Sequence, residues 1–161
     1  MIVLGIDPGI ALTGWGVIEA QTRDKIKSIQ YGCITTISSQ PIIERIQSIS
    51  VQLQKIIDIY QPQNIAIEEL FFLKRASSIA LIGQARGAIL LTIAQNKIKL
   101  YEYNPRRVKI ALTGYGSADK QQMQRMVKDF LGLTEIPKPD DAADALAMAI
   151  CHIHTVGVNK I

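Results

Sequence analysis

Four acidic residues stand where a carboxylate can do chemistry. Asp7 ends the apolar opening run Ile2-Val3-Leu4-Gly5-Ile6, and Glu68 ends Asn64-Ile65-Ala66-Ile67 in the same way. Asp141 and Asp144 lie three apart in Asp140-Asp141-Ala142-Ala143-Asp144-Ala145-Leu146-Ala147, a spacing that puts both on one face of a helix. No His or Cys accompanies them in a ligand pattern, so the donor set is all oxygen and suits a hard cation, Mg²⁺ or Mn²⁺. Four converging carboxylates repel one another unless a cation lies among them. A pair of such ions about 3.5–4 Å apart can activate a water and stabilise the leaving oxygen of a phosphodiester. A blander reading stands beside this one on the residues alone. Asp7 can brace its turn, Glu68 can be a surface acid at a strand end, and acids early in a helix favour the dipole, with Asp140 as a cap.

Charge is unevenly spread. The net is +4, but residues 74–128 carry 11 Lys and Arg against two acids, Glu102 and Asp119, while the rest of the chain is acidic. A basic middle with carboxylates contributed from both ends points to nucleic acid as the partner. At the start of that stretch Phe71, Phe72, Lys74 and Arg75 set two aromatics beside two cations, a mixture able to stack on bases and hold phosphates.

The elements that must position these groups follow from periodicity. Met1 to Ile6 reads as a buried strand, Pro8-Gly9 forces a turn, and Thr13 to Glu19 returns as a second strand, which puts Asp7 at the mouth of a hairpin. Alternation over Lys25 to Ile37 predicts a third strand, with Gly32 as a bulge or a point of close approach. Pro41 opens a helix that ends before Pro62, Asn64 to Glu68 is a strand, and Ser77 or Ser78 caps a long helix to Asn96. That helix is apolar over most of its circumference and contains Gly83, Ala85, Gly87 and Ala88, which suits either a subunit interface or close internal packing. Lys99 to Tyr103 is the last strand. A short basic helix carrying Arg106, Arg107 and Lys109, a second from Ser117-Ala118-Asp119-Lys120, and an alanine-rich one from Asp140 complete the chain.

An apolar content of 48% in 161 residues supplies a core for one domain, expected to span 1–161. Cys33 and Cys151 have neither metal spacing nor a disulfide framework and read as reduced residues of a cytoplasmic protein. Neither a signal peptide nor a run of the ~20 apolar residues needed for a membrane span is evident, so no membrane partner is expected.

In order, Gly5-Ile6-Asp7-Pro8-Gly9 with Thr13-Gly14, Ala66-Ile67-Glu68, Gly83-Gln84-Ala85-Arg86-Gly87, Gly116-Ser117-Ala118 with Lys120, and Asp141 to Ala147 resemble the RuvC family of bacterial Holliday-junction resolvases. The resemblance reaches His154. It implies an α/β, ribonuclease H-like fold with a five-stranded mixed sheet, a homodimer, and paired nicking of a four-way DNA junction that depends on Mg²⁺, two ions per site. Position by position, it makes Asp7, Glu68, Asp141 and Asp144 the metal-binding catalytic acids. Lys109 and Lys120 become DNA-contacting lysines near the scissile phosphate, Phe71 the aromatic that stacks on junction bases, and the Gly83–Gly87 helix the dimer helix. Lys74, Arg75 and Arg86 join the expected DNA contacts, and the RuvA–RuvB branch-migration complex is the expected protein partner. Ile10-Ala11-Leu12 departs from the Ser-Arg common in relatives after the hairpin turn, and Arg75 stands where Asn is common.

Two other readings share these features. The hairpin also resembles the phosphate-binding hairpin of actin-like and sugar-kinase ATPases, but no second hairpin or later Gly-rich phosphate loop follows. A catalytically silent junction-binding module is the third reading, and the retention of all four acids weighs against it. His152 and His154 read as ordinary helix-end residues.

Overall fold

In the computed structural model residues 1–69 and 76–158 are described, the side chains of 76–79 excepted. Five strands form one sheet: β1 (Ile2–Asp7), β2 (Leu12–Ala20), β3 (Ile26–Thr35), β4 (Asn64–Glu68) and β5 (Lys99–Tyr103), in the order β3-β2-β1-β4-β5. The first three make an antiparallel meander; β4 joins β1 in parallel and β5 joins β4 in parallel. A mixed sheet follows from the connections. Tight turns suffice for the meander, whereas the helices α1 (Ile42–Tyr60) and α2 (Ala76–Gln95) carry the chain back to start β4 and β5.

Side-chain alternation sorts the sheet into two faces. Leu4, Ile6, Val17, Ile34, Ile65 and Ile67 pack with Ile49, Leu53, Ile57, Ala85 and Ile89 of α1 and α2. Val3, Ile18, Ala66 and Tyr103 point the other way, into a core with α3 (Pro105–Thr113), α4 (Lys120–Leu131) and α5 (Asp140–Val156). The result is three layers with a core on each side of the sheet. By the same alternation Gly5 and Asp7 of β1, Ala66 and Glu68 of β4, and Gly14 and Gly16 of β2 belong to the α5 face.

Helix α5 is nearly all buried: Ala142, Ala143 and every residue from Ala145 to Ile153. It lies close enough to the sheet that a Cβ on Gly5 would overlap the Ala145 carbonyl, one on Gly14 the Asp141 carbonyl, and one on Gly16 the Leu146 side chain. The glycines of the opening hairpin are thus the bed of α5. Two short helices are ended or begun by side chains the sequence supplies: Asn104 caps α3 through Arg107 N–H, and Asp119 with Gln122 forms a capping box on α4.

Several expectations shift in detail. The irregularity in β3 falls at Ile29, which the pairing of Val17 with Gln30 and Ile18 with Ser28 leaves over; Gly32 is the close approach instead, facing the Trp15 ring. Ile43 and Val51 of the apolar α1 stripe are exposed, while Arg45 is buried and donates to Thr36 Oγ1 at 2.9 Å. Pro139, not Asp140, is the N-cap of α5. The serine cap foreseen for α2 falls on side chains outside the described set. Among the described residues no helix is long and apolar enough to cross a membrane.

Candidate active site

The C-terminal ends of β1 and β4 lie side by side, because Ile6 pairs with Ile67 and each strand runs one residue further to its acid. Asp7 pairs with Gly14, Gly14 pairs with Cys33, and Glu68 pairs with Tyr103, so one row crosses all five strands at the end where the acids stand. The first turn of α5 rests on this row at Gly14, which brings Asp141 beside Asp7. Cys33 registers that convergence. Its thiol is pushed up to about 11 by burial first, and then by the charges of Asp141 and Asp7. The hairpin turn itself is braced by Thr13, whose hydroxyl donates to the Gly9 carbonyl at 2.7 Å.

Next to the row opens a cleft of about 180 Å³ lined by Glu68, Asp144, Lys109 and Lys120, with Pro105, Val108, Met123, Ala147 and Met148 as its apolar walls. α3 and α4 supply the lysines, and β4 and α5 supply the acids. Lys120 Nζ lies 3.0 Å from Asp140 Oδ2 and 3.6 Å from Asp144 Oδ2. Gln124 Nε2 also donates to Asp140, at 2.9 Å, so the carboxylate read from sequence as a helix cap is a partner of Lys120. Burial raises the Asp144 carboxyl above the ordinary Asp range, with Asp141 and Asp140 adding to the rise and Lys120 opposing it. Lys120 is raised in turn, mainly through its bond to Asp140.

Glu68 and Asp144 thus line the cleft, while Asp7 and Asp141 stand on the adjoining row at Gly14 and Cys33. As they stand, no three His, Cys, Asp or Glu side chains among the described residues form a metal-holding group. In kind, however, the donors fit a hard divalent cation: they are carboxylate oxygens without nitrogen or sulfur partners, and partial burial of Asp144 raises its carboxyl, which nearby positive charge would offset. In this arrangement that charge is supplied by Lys120.

The predicted DNA contacts divide. Lys109 and Lys120 face the cleft. Phe71, Lys74 and Arg75 lie outside the described residues. Arg86 requires a correction: it is 4% exposed, so it has no surface to offer a phosphate. Its guanidinium is spent on Glu102, 2.9 Å away, and on the Glu68 backbone carbonyl. A basic residue inside a small-residue helical motif reads as a surface cation in sequence; only the strand pairing, which brings Glu102 next to Ile67, reveals its partner. His152 is fully buried, its Nδ1 2.9 Å from the Tyr103 hydroxyl, and His154 Nδ1 lies 3.0 Å from the Ala111 carbonyl, so both are packing residues at the far end of α5.

Comparison with known proteins places the whole chain in a family. The family model described as crossover junction endodeoxyribonuclease RuvC matches residues 3–152. A crossover junction endodeoxyribonuclease RuvC of Endomicrobium trichonymphae is 64% identical over 159 residues, covering 99% of this chain and 84% of its own length. One of Caldicellulosiruptor saccharolyticus is 56% identical, with 95% and 92% covered. Among solved structures, Thermus thermophilus RuvC in complex with Holliday junction substrate is 35% identical, with a TM-score of 0.93 over 97% of this chain and 94% of that one. The yeast mitochondrial Holliday junction resolvase Ydc2, at 14% identity and a TM-score of 0.69, shares the fold. The ribonuclease H-like architecture, the order of the motifs and the near full-length matches agree, and this chain belongs to the crossover junction endodeoxyribonuclease RuvC family.

Proposed function

We propose that this protein resolves four-way DNA junctions by hydrolysing one phosphodiester in each of two symmetry-related strands. The observation that carries the reading is the cleft in which Glu68 and Asp144 face Lys109 and Lys120, in a chain that superposes over nearly its full length on a relative solved with a Holliday junction. Asp7, Glu68, Asp141 and Asp144 would hold two divalent ions, Mg²⁺ by preference and Mn²⁺ as a substitute. Bound there, such ions supply Lewis acidity and a water of lowered pKa.

The chain's own residues do the rest. Lys120 and Lys109 neutralise phosphate oxygens at the cleft, and Lys120 reaches the phosphate by letting go of Asp140 and Asp144. Both of those pairs are more than a third exposed, and exchanging such a contact costs about 1 kcal/mol or less. Val108, Met123, Ala147 and Met148 give the cleft an apolar wall that limits water around the reacting group. The other basic residues of the middle stretch, the buried Arg86 excepted, hold the junction arms together with Phe71, Lys74 and Arg75 on the segment after Glu69.

A second copy is required because one cut does not resolve a junction, and a two-fold dimer matches the near two-fold symmetry of four arms. Helix α2 supports this assignment: Leu81 and Leu91 are 40% and 60% exposed, and Gly83 and Gly87 have open space where a side chain would stand. A homodimer through α2, action in the cytoplasm and cooperation with a RuvA–RuvB branch-migration complex complete the reading. The test is Mg²⁺-dependent cleavage of a synthetic mobile four-way junction beside a linear duplex of the same sequence. Paired nicks in the junction with the duplex intact are expected; equal cutting of both, or a monomer that resolves the junction, contradicts it.

A further inference from the structure

Arg86 is a buried cation on the side of the sheet away from the acids. It projects from α2 beside Ala85 and Ile89, both of which pack under β1 and β4. An ionised side chain taken out of water needs both charge and hydrogen-bond partners. Among the described residues Arg86 has one of each, on two neighbouring strands. Nη2 pairs with Glu102 Oε2 of β5 at 2.9 Å, and Nη1 donates to the backbone carbonyl of Glu68, the last residue of β4. Glu102 is half exposed, while the arginine side chain is 5% exposed, so the pair is anchored from the buried end.

The carbonyl that Arg86 holds belongs to the residue whose carboxylate lines the cleft on the opposite face. At a strand end the peptide plane is no longer fixed by the ladder on both sides; here the next N–H, of Glu69, is tied to Tyr103 O at 2.9 Å and the Glu68 carbonyl to Arg86. With both atoms of that peptide held, the direction of the Glu68 Cα–Cβ bond is set. We infer that Arg86 is the positioning residue for Glu68: it sets the direction of this acid from the far side of the sheet, and couples it to α2. A shift of α2 against the sheet is thereby carried to one of the four acids. The inference rests on Glu68 being a metal-holding acid, as proposed above.

Arg86→Met, Arg86→Lys, Glu102→Gln and Glu68→Gln test it, with three readouts: single-turnover cleavage of a bound four-way junction, Mn²⁺ affinity by electron paramagnetic resonance, and junction binding in Ca²⁺. Arg86→Met is expected to slow cleavage and weaken Mn²⁺ binding by about 10–100-fold, the usual cost of removing a group that orients a ligand. Junction binding should stay within about twofold, because a buried arginine on the far face makes no phosphate contact. Arg86→Lys, which keeps a charge able to reach one partner, should recover part of the loss, and Glu102→Gln, which keeps a hydrogen bond, should lose least. Unchanged Mn²⁺ affinity in Arg86→Met overturns the inference whatever happens to stability, and so does a loss of junction binding that parallels the loss of cleavage. If Arg86→Met does not fold, Glu102→Ala at the half-exposed end carries the same test, and an unshifted Mn²⁺ affinity overturns it. Normal cleavage by Glu68→Gln sinks the underlying reading; a dead Glu68→Gln beside an unaffected Arg86→Met sinks only this one.

Discussion

The two ends of α5 do opposite things with the same helix. Its first turns carry Asp140, Asp141 and Asp144 at the edge of a cleft, where burial opposes the ionised form of Asp144 and Lys120 compensates it. Its later turns carry Leu146 to Ile153 without a solvent-exposed residue, before Val156 comes to the surface at the end, and the His152 ring is kept neutral, pushed down to about 4 by burial. Charge near the start of the helix stands beside a long buried run that packs on the sheet. The glycine bed between them, Gly5, Gly14 and Gly16, locks the helix against the sheet so that the acids arrive beside Asp7 and Glu68. Stability and chemistry are thus divided along one helix.

The division can be broken at the acidic end first. Asp141→Asn should cut junction cleavage by about 10³-fold or more, the scale of losing an essential group, with junction binding in Ca²⁺ nearly unchanged. Rates within tenfold of wild type would mean that the first turn of α5 is not part of the centre. In the middle, Gly5→Ala places a methyl group on the Ala145 carbonyl, and rigid backbone on both sides leaves little room to adjust. A loss of about 3 kcal/mol in urea unfolding is expected, at the upper end of overpacking costs. A loss below about 1 kcal/mol would show that α5 is free to lift. Lys120→Ala should slow cleavage by about 10²-fold and weaken junction binding only a few-fold, as for a group that acts on developing charge.

Smaller effects separate the ends by pH. The unfolded chain takes up a proton on His152 near pH 6.5, while the native ring resists until about 4. Between those values the unfolded state holds more protons, so stability present above pH 6.5 is lost as pH falls through that window. Urea midpoints should decline there in the wild type, and less steeply in His152→Gln. Asp144 has the opposite sign. Its native carboxyl holds a proton more tightly than in the unfolded chain, so ionisation above the carboxylate range costs stability. Asp144→Asn should therefore melt higher than wild type in EDTA at neutral pH, with the difference shrinking toward acid, although it abolishes cleavage.

Much of this was legible in the residues, for local reasons. β4 and β5 were read with the observed bounds, β4 as a short apolar run ending on a carboxylate and β5 as a strand closed by Asn104-Pro105; Asp7 and Glu68 stood out as acids where apolar runs stop, and Asp141 and Asp144 as acids three apart on an otherwise apolar helix. What could not be read depends on pairing between distant segments. Glu102 faces α2 only because β5 joins β4 in a particular register, and that is why Arg86 was expected at the surface. Asp140 was expected as a cap because its partner, Lys120, lies on another helix. The bulge fell at Ile29 and not at Gly32 because a glycine in a strand marks close approach as readily as extra length, and here the Trp15 ring needed the room.

On the reading proposed above, carboxylates from the strand ends and from α5 form one centre, with Asp7 at its fixed point. The most direct test is single-turnover cleavage of a pre-bound synthetic four-way junction by Asp7→Asn in Mg²⁺. Full junction binding is expected with cleavage reduced by about 10³-fold or more, as for an essential group. A variant that binds and cuts the junction at the wild-type rate would contradict it.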